Sequence, residues 1–446
     1  MNSPAFQHPE IECLDRSDIL AIQRRKIETL GKRLSQSPAW VAHFRTVGMH
    51  PWELKDHESL AAAPILEKSS LRHLYPFPML TVGLDQVRRF TATSGTTGLP
   101  VMFGLSERDL GHLIPYQICR ILRATGVRPG EKFYQGYGYG LWIGGIAMDM
   151  GLNAYGTVNF PLGPGRGELA AEWLRDHEYT ACSMSPLWLM TLANTAEKMG
   201  IDPKRDWKLR VGLFGGQSIS KPFRDRLEDT MPDGFMAHNI YGTTEAGGPV
   251  LGISCPYSHD RDEMHLINDD TVMTEIVDPE TLVPVKPGEI GELIVTTLDR
   301  EASPVVRWRT RDLVRFSEHP YDCPCGRKGL PLIGRIIGRT DDMLKVRGVI
   351  VYPTQIEDII AGTAGTVKEA WQIYIDNKDS VLDQLSVEIE RASTSTASAA
   401  ELAKGVQHAI HDRLGIRVGV TCMEEGTLPR YEGKAVRVHV RKVDAL

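Results

Sequence analysis

The chain contains no apolar run approaching the roughly 18 uninterrupted residues that a membrane-spanning helix needs. Its first residues, Met1–Glu10, lack the basic-then-apolar order of a secretory leader. Neither sign of charge dominates: 51 Lys and Arg are intermixed with 57 Asp and Glu, for a formal net charge of −6. This leaves no electrostatic case for nucleic acid or an anionic membrane as partner. Cysteine is sparse and odd in number, seven in 446 residues, which argues against a disulfide framework and for thiols or a metal site. No internal repeat is evident. The expectation is a cytoplasmic globular protein of two to three domains.

What is present is the pattern of an α/β protein. Residues 1–75 read as helices and loops, with charged helical turns around Gln23–Arg33 and prolines at Pro51, Pro64 and Pro76. From residue 90 to about 235, short apolar runs alternate with amphipathic ones, as layered sheets covered on both faces require. Arg210–Gly216 reads as a buried strand ending in a glycine turn; Glu168–His177 and Pro222–Asp229 read as helices. The runs Val272–Val277, Gly291–Thr297 and Asp312–Phe316 are β-rich, which predicts a smaller, barrel-like β portion. A compact α/β unit follows. Its expected strands are Met343–Val346, Ala370–Ile375, Gln384–Glu390 and Arg417–Cys422, and its helices Thr354–Ala361 and Ala400–Leu414. The boundary falls close to Arg339–Asp341, giving domains of residues 1–338 and 339–446.

Within this frame Thr93–Gly98 stands out. Four hydroxyl side chains and two glycines suit neither a core strand nor a helix. They do make an anion cradle, because glycine lets backbone N–H groups converge on phosphate oxygens and the hydroxyls add donors. Four more blocks follow in order: Asn239–Glu245 (NIYGTTE), Arg307–Asp312 (RWRTRD), Gly338–Gly348 (GRTDDMLKVRG) and Leu428–Lys434 (LPRYEGK). The ordered set resembles the adenylate-forming, acyl-CoA synthetase-like superfamily, and within it the phenylacetate–CoA ligase family of small aryl-CoA ligases. The likeness runs over nearly the whole chain.

The resemblance implies an enzyme that uses ATP, Mg²⁺ and coenzyme A to activate a small aromatic carboxylic acid, with a large adenylation domain and a small mobile C-terminal domain. Attack of the carboxylate on the α-phosphorus gives an acyl-adenylate and pyrophosphate, and a thiol then displaces AMP. The protein's work is positioning and charge neutralisation. Ser94, Gly95, Thr96, Thr97 and Gly98 would hold the β- and γ-phosphates. The family often has Lys after this glycine; here Leu99 stands, so binding leans on N–H groups, hydroxyls or another cation. In the turn Tyr241-Gly242-Thr243, Tyr241 would pack on adenine. Thr244 would donate to an α-phosphate oxygen, and Glu245 would offer Mg²⁺ a hard oxygen. Asp312, with two acceptor oxygens, would take both ribose hydroxyls; Trp308 replaces the family's usual Tyr. Gly215, Gly216 and Gln217 resemble the turn lying against adenine and the acid. Lys434, a point cation on a flexible stem, would bridge the acid and the α-phosphate. Arg339 and Asp341 mark the pivot of the C-terminal domain, with Arg339 among the nucleotide contacts and Asp341 as hinge. Transfer to a carrier-protein thiol, or a catalytically silent nucleotide-binding protein, are the alternatives, and a homodimer stays open.

Two constellations remain. Tyr134–Trp142 alternates aromatics with glycine, which suits a flat ring. Tyr137, Tyr139 and Gly140 are expected to line that pocket, with His238 as a polar group nearby. Cys255, Cys323 and Cys325 with one histidine fit a structural, tetrahedral Zn²⁺ with no open position. The family likeness favours His265, at the start of a strand; His259 stays an alternative.

Overall fold

The computed structural model of the chain describes residues 6–72, 74, 76–77, 79–93, 100–342, 344–346, 349–377, 384–431 and 437–442. The chain forms two compact units: Met1–Ser218 with Glu228–Arg335, and Ile219–Leu227 with Ile336–Leu446. Among the described residues no helix is long and apolar enough to cross a membrane.

In the first unit, β1 (Val87–Ala92) and β2 (Met102–Ser106) pair antiparallel. The sequence between them is the glycine- and hydroxyl-rich segment. Thr93 and Val101 close its base, through Thr93 N–H to the Val101 carbonyl at 3.0 Å and Val101 N–H to Thr93 Oγ1 at 3.1 Å. Next come β3 (Lys132–Gln135), β4 (Val158–Phe160), β5 (Ala181–Met184), β6 (Val211–Phe214), β7 (Met236–Thr243), β8 (Gly248–Ile253) and β9 (Glu263–His265). After them β10 (Val272–Val277), β11 (Ile290–Thr297) and β12 (Trp308–Arg315) form an antiparallel meander where the smaller β portion is expected. Then β13 (Leu332–Gly334) returns to complete an eight-stranded sheet in the order β13-β9-β8-β7-β6-β5-β3-β4.

That sheet is parallel from β4 to β7 and antiparallel beyond. The parallel strands β5 and β6 are buried at every position, as continuous apolar strands covered on both faces must be. The covering helices include Ile114–Ala124, Gly144–Tyr155, Gly167–Asp176 and Pro186–Lys198. In such a sheet, ligands bind outside the carboxyl ends of the parallel strands, where backbone groups and loops diverge.

The second unit has a four-stranded sheet in the order Gly419–Glu424, Gln384–Arg391, Thr366–Asn377, Val438–Lys442. The first two and last two pair parallel, and the middle two antiparallel. Helices Pro353–Gly362 and Ala399–Leu414 bury Ile356, Ile359, Ile360, Val406 and Ile410 with Trp371, Ile373, Val387 and Ile389. Ser398 and Glu401 form a capping box at the start of the second helix, and Gly415 ends it at φ +69°.

Candidate active site

Three segments with chemistry-bearing residues leave the carboxyl edge of the parallel strands. After β3 comes Tyr137, after β6 the Gly215-Gly216-Gln217 bend, and after β7 the Thr244-Glu245 turn. Tyr137 is buried and its hydroxyl accepts the Gly215 N–H at 2.6 Å, which fixes the first two segments to each other. Burial pushes its phenol well above the ordinary range, so it stays a neutral donor and acceptor. Trp142 meets the Tyr137 ring edge-on, with centroids 5.4 Å apart, and supplies an aromatic wall that sequence reasoning did not single out. Tyr139 and Gly140 are exposed.

His238 lies on β7, paired in register with Leu213 of β6. Its Nδ1 lies 3.3 Å from Ser254 Oγ and its ring is edge-on to His259 at 6.0 Å. No hydrogen bond or ring contact among the described residues joins it to Tyr137 or Tyr139. Burial depresses its pKa to about 4, so the imidazole is neutral at physiological pH.

At the end of β7, Gly242 is required by packing: a Cβ there would lie 2.0 Å from the Gly248 carbonyl across the bulged β7–β8 pair. Tyr241, just before it, is directed toward β12. Its hydroxyl donates to Asp312 Oδ2 at 2.6 Å, and both residues are buried. Asp312 N–H donates to Thr310 Oγ1 at 3.0 Å. The arginines around Asp312 serve other carboxylates. Arg307 pairs with Glu275 at 3.3 Å, Arg309 with Glu292 at 2.7 Å and Arg311 with Glu67 at 2.7 Å. Thr243 Oγ1 accepts the Ala246 N–H at 3.1 Å, shaping the turn in which Thr244 is buried and Glu245 half-buried.

In the second unit Arg339 grips Asp341 with two parallel bonds, of 2.8 and 2.9 Å. Glu390, fully buried, accepts from the Gly426 N–H at 2.9 Å and from the Arg430 guanidinium at 2.6 and 3.1 Å. Ser94, Gly95, Thr96, Thr97, Gly98 and Leu99 lie outside the described residues, as does Lys434.

A second constellation lies in the first unit. Cys255, His265, Cys323 and Cys325 are all buried, and their ligand atoms lie within 4.8 Å of one another. Cys255 Sγ is 3.7 Å from both Cys323 Sγ and His265 Nε2, and Cys325 Sγ is 3.3 Å from that Nε2. Donors about 2.3 Å (S) and 2.0–2.1 Å (N) from one tetrahedral ion stand about 3.8 Å apart for S···S and about 3.5 Å for S···N, so the cluster has the dimensions of a metal centre. The His265 Nδ1 faces the Leu330 carbonyl at 3.5 Å, leaving Nε2 inward. Burial alone would lower the His265 pKa, but the sulfurs of Cys255 and Cys325 outweigh it and push it up to about 9. His259 is engaged elsewhere: its Nε2 lies 2.7 Å from Glu228. Beside the cluster, buried Arg327 pairs with buried Glu12 at 2.7 Å and hydrogen-bonds Cys325. Glu12 and Arg327 are far apart in sequence, and no motif announces them.

Comparison with known proteins identifies the family. The AMP-binding enzyme family model matches residues 51–298, and that of the AMP-binding enzyme C-terminal domain matches residues 348–442. Phenylacetate-coenzyme A ligase of Pseudomonas putida is 32% identical over 440 residues, covering 97% of each chain. The enzyme of that name from Escherichia coli (strain K12) is 33% identical over 433 residues, covering 96% of each. The fold also superposes on a crystal structure of 2-hydroxyisobutyryl-CoA ligase in the postadenylation state, with a TM-score of 0.86 and 24% identity over 96% of this chain and 91% of that one. End-to-end identity at this level, with both family models matched in order, means that the chain belongs to the phenylacetate–CoA ligase-like family of adenylate-forming enzymes, acid–thiol ligases of the AMP-forming kind.

Proposed function

We propose that the enzyme adenylates a small aromatic carboxylic acid with MgATP and transfers the acyl group to coenzyme A, releasing AMP and pyrophosphate. The observation that carries this reading is the convergence of the Tyr137, Gly215 and Glu245 segments at the carboxyl edge of one parallel sheet. An aromatic acid is favoured by the edge-on Tyr137–Trp142 pair, with Tyr139 and Gly140 at its exposed side. The curated relatives named for phenylacetate favour the same class. The polar Tyr137 hydroxyl is already used by Gly215, so the ring wall itself offers an apolar face.

The nucleotide roles follow the ordered motifs. Ser94, Gly95, Thr96, Thr97 and Gly98 cradle the terminal phosphates, and Thr244 donates to the α-phosphate. Glu245 holds Mg²⁺, which when bound neutralises phosphate charge. Asp312, anchored by Tyr241, accepts the ribose hydroxyls, with Arg339 a further nucleotide contact. Lys434 neutralises charge between the acid and the α-phosphate. Asp341 is the pivot between the two half-reactions. Cys255, His265, Cys323 and Cys325 hold a structural Zn²⁺. Three thiolates and one imidazole leave such a centre with net charge −1, which the nearby Arg327 guanidinium offsets.

The test is pyrophosphate release with ATP, Mg²⁺ and a panel of aryl and aliphatic acids, with and without coenzyme A. Turnover of one aryl acid that requires coenzyme A is the expected result. Release that coenzyme A does not accelerate would point to a carrier-protein thiol. No release with any acid would refute the catalytic reading.

A further inference from the structure

Arg300 is the most anomalous side chain of the first unit. It is only 2% exposed, and among the described residues its Nε and Nη2 have no hydrogen-bond partner. Nη1 reaches the Glu245 carbonyl, at 3.4 Å. Burial weakens its hold on the proton, against the pull of the Asp109 and Glu245 carboxylates. A buried cation this short of acceptors is costly for the fold, which directs attention to what surrounds it.

Its surroundings join two pieces of the proposed phosphate site. On one side, the residues that follow Arg300 are stapled to β2, the strand that returns from the glycine-rich loop. The N–H groups of Glu301 and Ala302 donate to Asp109 at 2.7 and 3.0 Å. The Gly104 N–H donates to Ser303 Oγ at 2.9 Å, and Ser106 Oγ donates to the Glu301 carboxylate at 2.6 Å. The guanidinium carbon lies 6.0 Å from the centroid of the Phe103 ring, also on β2. On the other side is the turn that carries Glu245. Gly247 in that turn has φ +105°, and a Cβ there would come 2.8 Å from Arg300 Nη1. Glycine is needed both for the backbone conformation and for the room the guanidinium occupies.

We propose that Arg300 is a positioning residue for the phosphate end of the nucleotide, holding the Glu245 turn against β2 and adding positive charge behind that turn. The inference rests on the adenylation reading. A charge in a low-dielectric interior acts over longer range than a solvated lysine, so it need not touch the polyphosphate to favour it. Asp109 keeps its backbone donors without Arg300, including the Ser106 N–H at 3.0 Å. An unpaired buried charge is itself costly to bury, so an apolar chain of similar volume in its place removes that cost.

R300M and R300K separate this role from a structural one. Two readouts serve: the rise in Tm caused by MgATP, and KM for ATP and for the acid in pyrophosphate release. R300M is expected to keep or raise the resting Tm, to raise KM for MgATP about tenfold, and to leave KM for the acid within about twofold. R300K restores the charge and is expected to recover most of that loss. Wild-type affinity for MgATP in R300M would overturn the proposal. So would a lowered resting Tm or failure to fold, which would mark Arg300 as a structural prop. If the wild type itself shows no MgATP-dependent rise in Tm, the adenylation reading falls and this inference falls with it.

Discussion

Tyr241 and Asp312 lie 71 positions apart and share one buried hydrogen bond of 2.6 Å. A neutral donor on an ionised acceptor contributes about 1.5–3 kcal/mol, so the phenol fixes where the carboxylate points. In the proposed reaction Asp312 faces the ribose and Tyr241 acts largely through it. Y241F is therefore expected to raise KM for ATP about tenfold, and D312A to lower kcat/KM for ATP about a hundredfold or more. The informative measurement is the double variant. If Tyr241 works through Asp312, Y241F/D312A is no worse than D312A alone; multiplying losses would give Tyr241 a separate role against adenine. Each residue is legible in its own motif. Their bond is not, because it joins β7 of the large sheet to β12 of the meander, and no local pattern reports pairing across sheets. His238 shows the converse: a polar residue close to the Tyr241 motif looks like pocket chemistry, yet its ring is directed at Ser254 and His259.

At the scale of elements, the cysteine–histidine cluster is a clip on three pieces of chain. Cys255 follows β8, His265 ends β9, and Cys323 and Cys325 lie in the loop before β13, which pairs with β9. Leu332 and part-buried Tyr257 pack against the three cysteines, and the buried Arg327–Glu12 pair and the Arg16–Gly329 hydrogen bond also tie the loop down, so the ligands share the work of holding it. A bound metal adds its binding free energy to the fold. Purified protein is expected to carry about one zinc per chain, and C325S to lose it with a fall in Tm of about 5–10 °C. Hydrogen exchange should rise first in residues 319–332. Metal-free protein of unchanged Tm would end the zinc assignment. Most elements were readable where periodicity and burial agree: Val272–Val277 is a strand as expected, and Ala399–Leu414 a helix one residue longer than expected. Strand β12 begins at Trp308, four residues before the apolar signal, because Arg309 and Arg311 look like surface residues until their partners Glu292 and Glu67 are seen. The strand Val438–Lys442 escaped notice because its partner, Thr366–Asn377, is remote in sequence and pairs parallel, with no hairpin turn to signal it.

The whole molecule is two units; the second takes Ile219–Leu227 and everything from Ile336 on, so the proposed pivot, Asp341, lies just inside its C-terminal segment. Two half-reactions with different needs explain why a pivot there is useful. In the proposed reaction, adenylation needs Lys434 at the α-phosphate; thioester formation needs a thiol in line with the acyl carbon and no longer needs that lysine. One residue that changes φ and ψ can exchange the two arrangements. The Asp341 carboxylate is held by Arg339 in a paired bond of 2.8 and 2.9 Å, and about half of it is exposed to solvent. An exposed pair of this kind contributes about 1 kcal/mol or less, weak enough to break and re-form in each cycle. Proline at this position fixes φ near −65° and removes the adaptable backbone, together with the carboxylate that holds Arg339, a loss that D341A reports by itself. D341P is therefore expected to fold with near-normal Tm and to lose one half-reaction selectively. In rapid-quench experiments, either a pyrophosphate burst of about one per enzyme persists while thioester formation slows about a hundredfold, or the burst itself is lost while preformed acyl-adenylate is still transferred. Equal slowing of both steps would remove Asp341 from the role, because a joint that serves only the exchange cannot impair both arrangements alike.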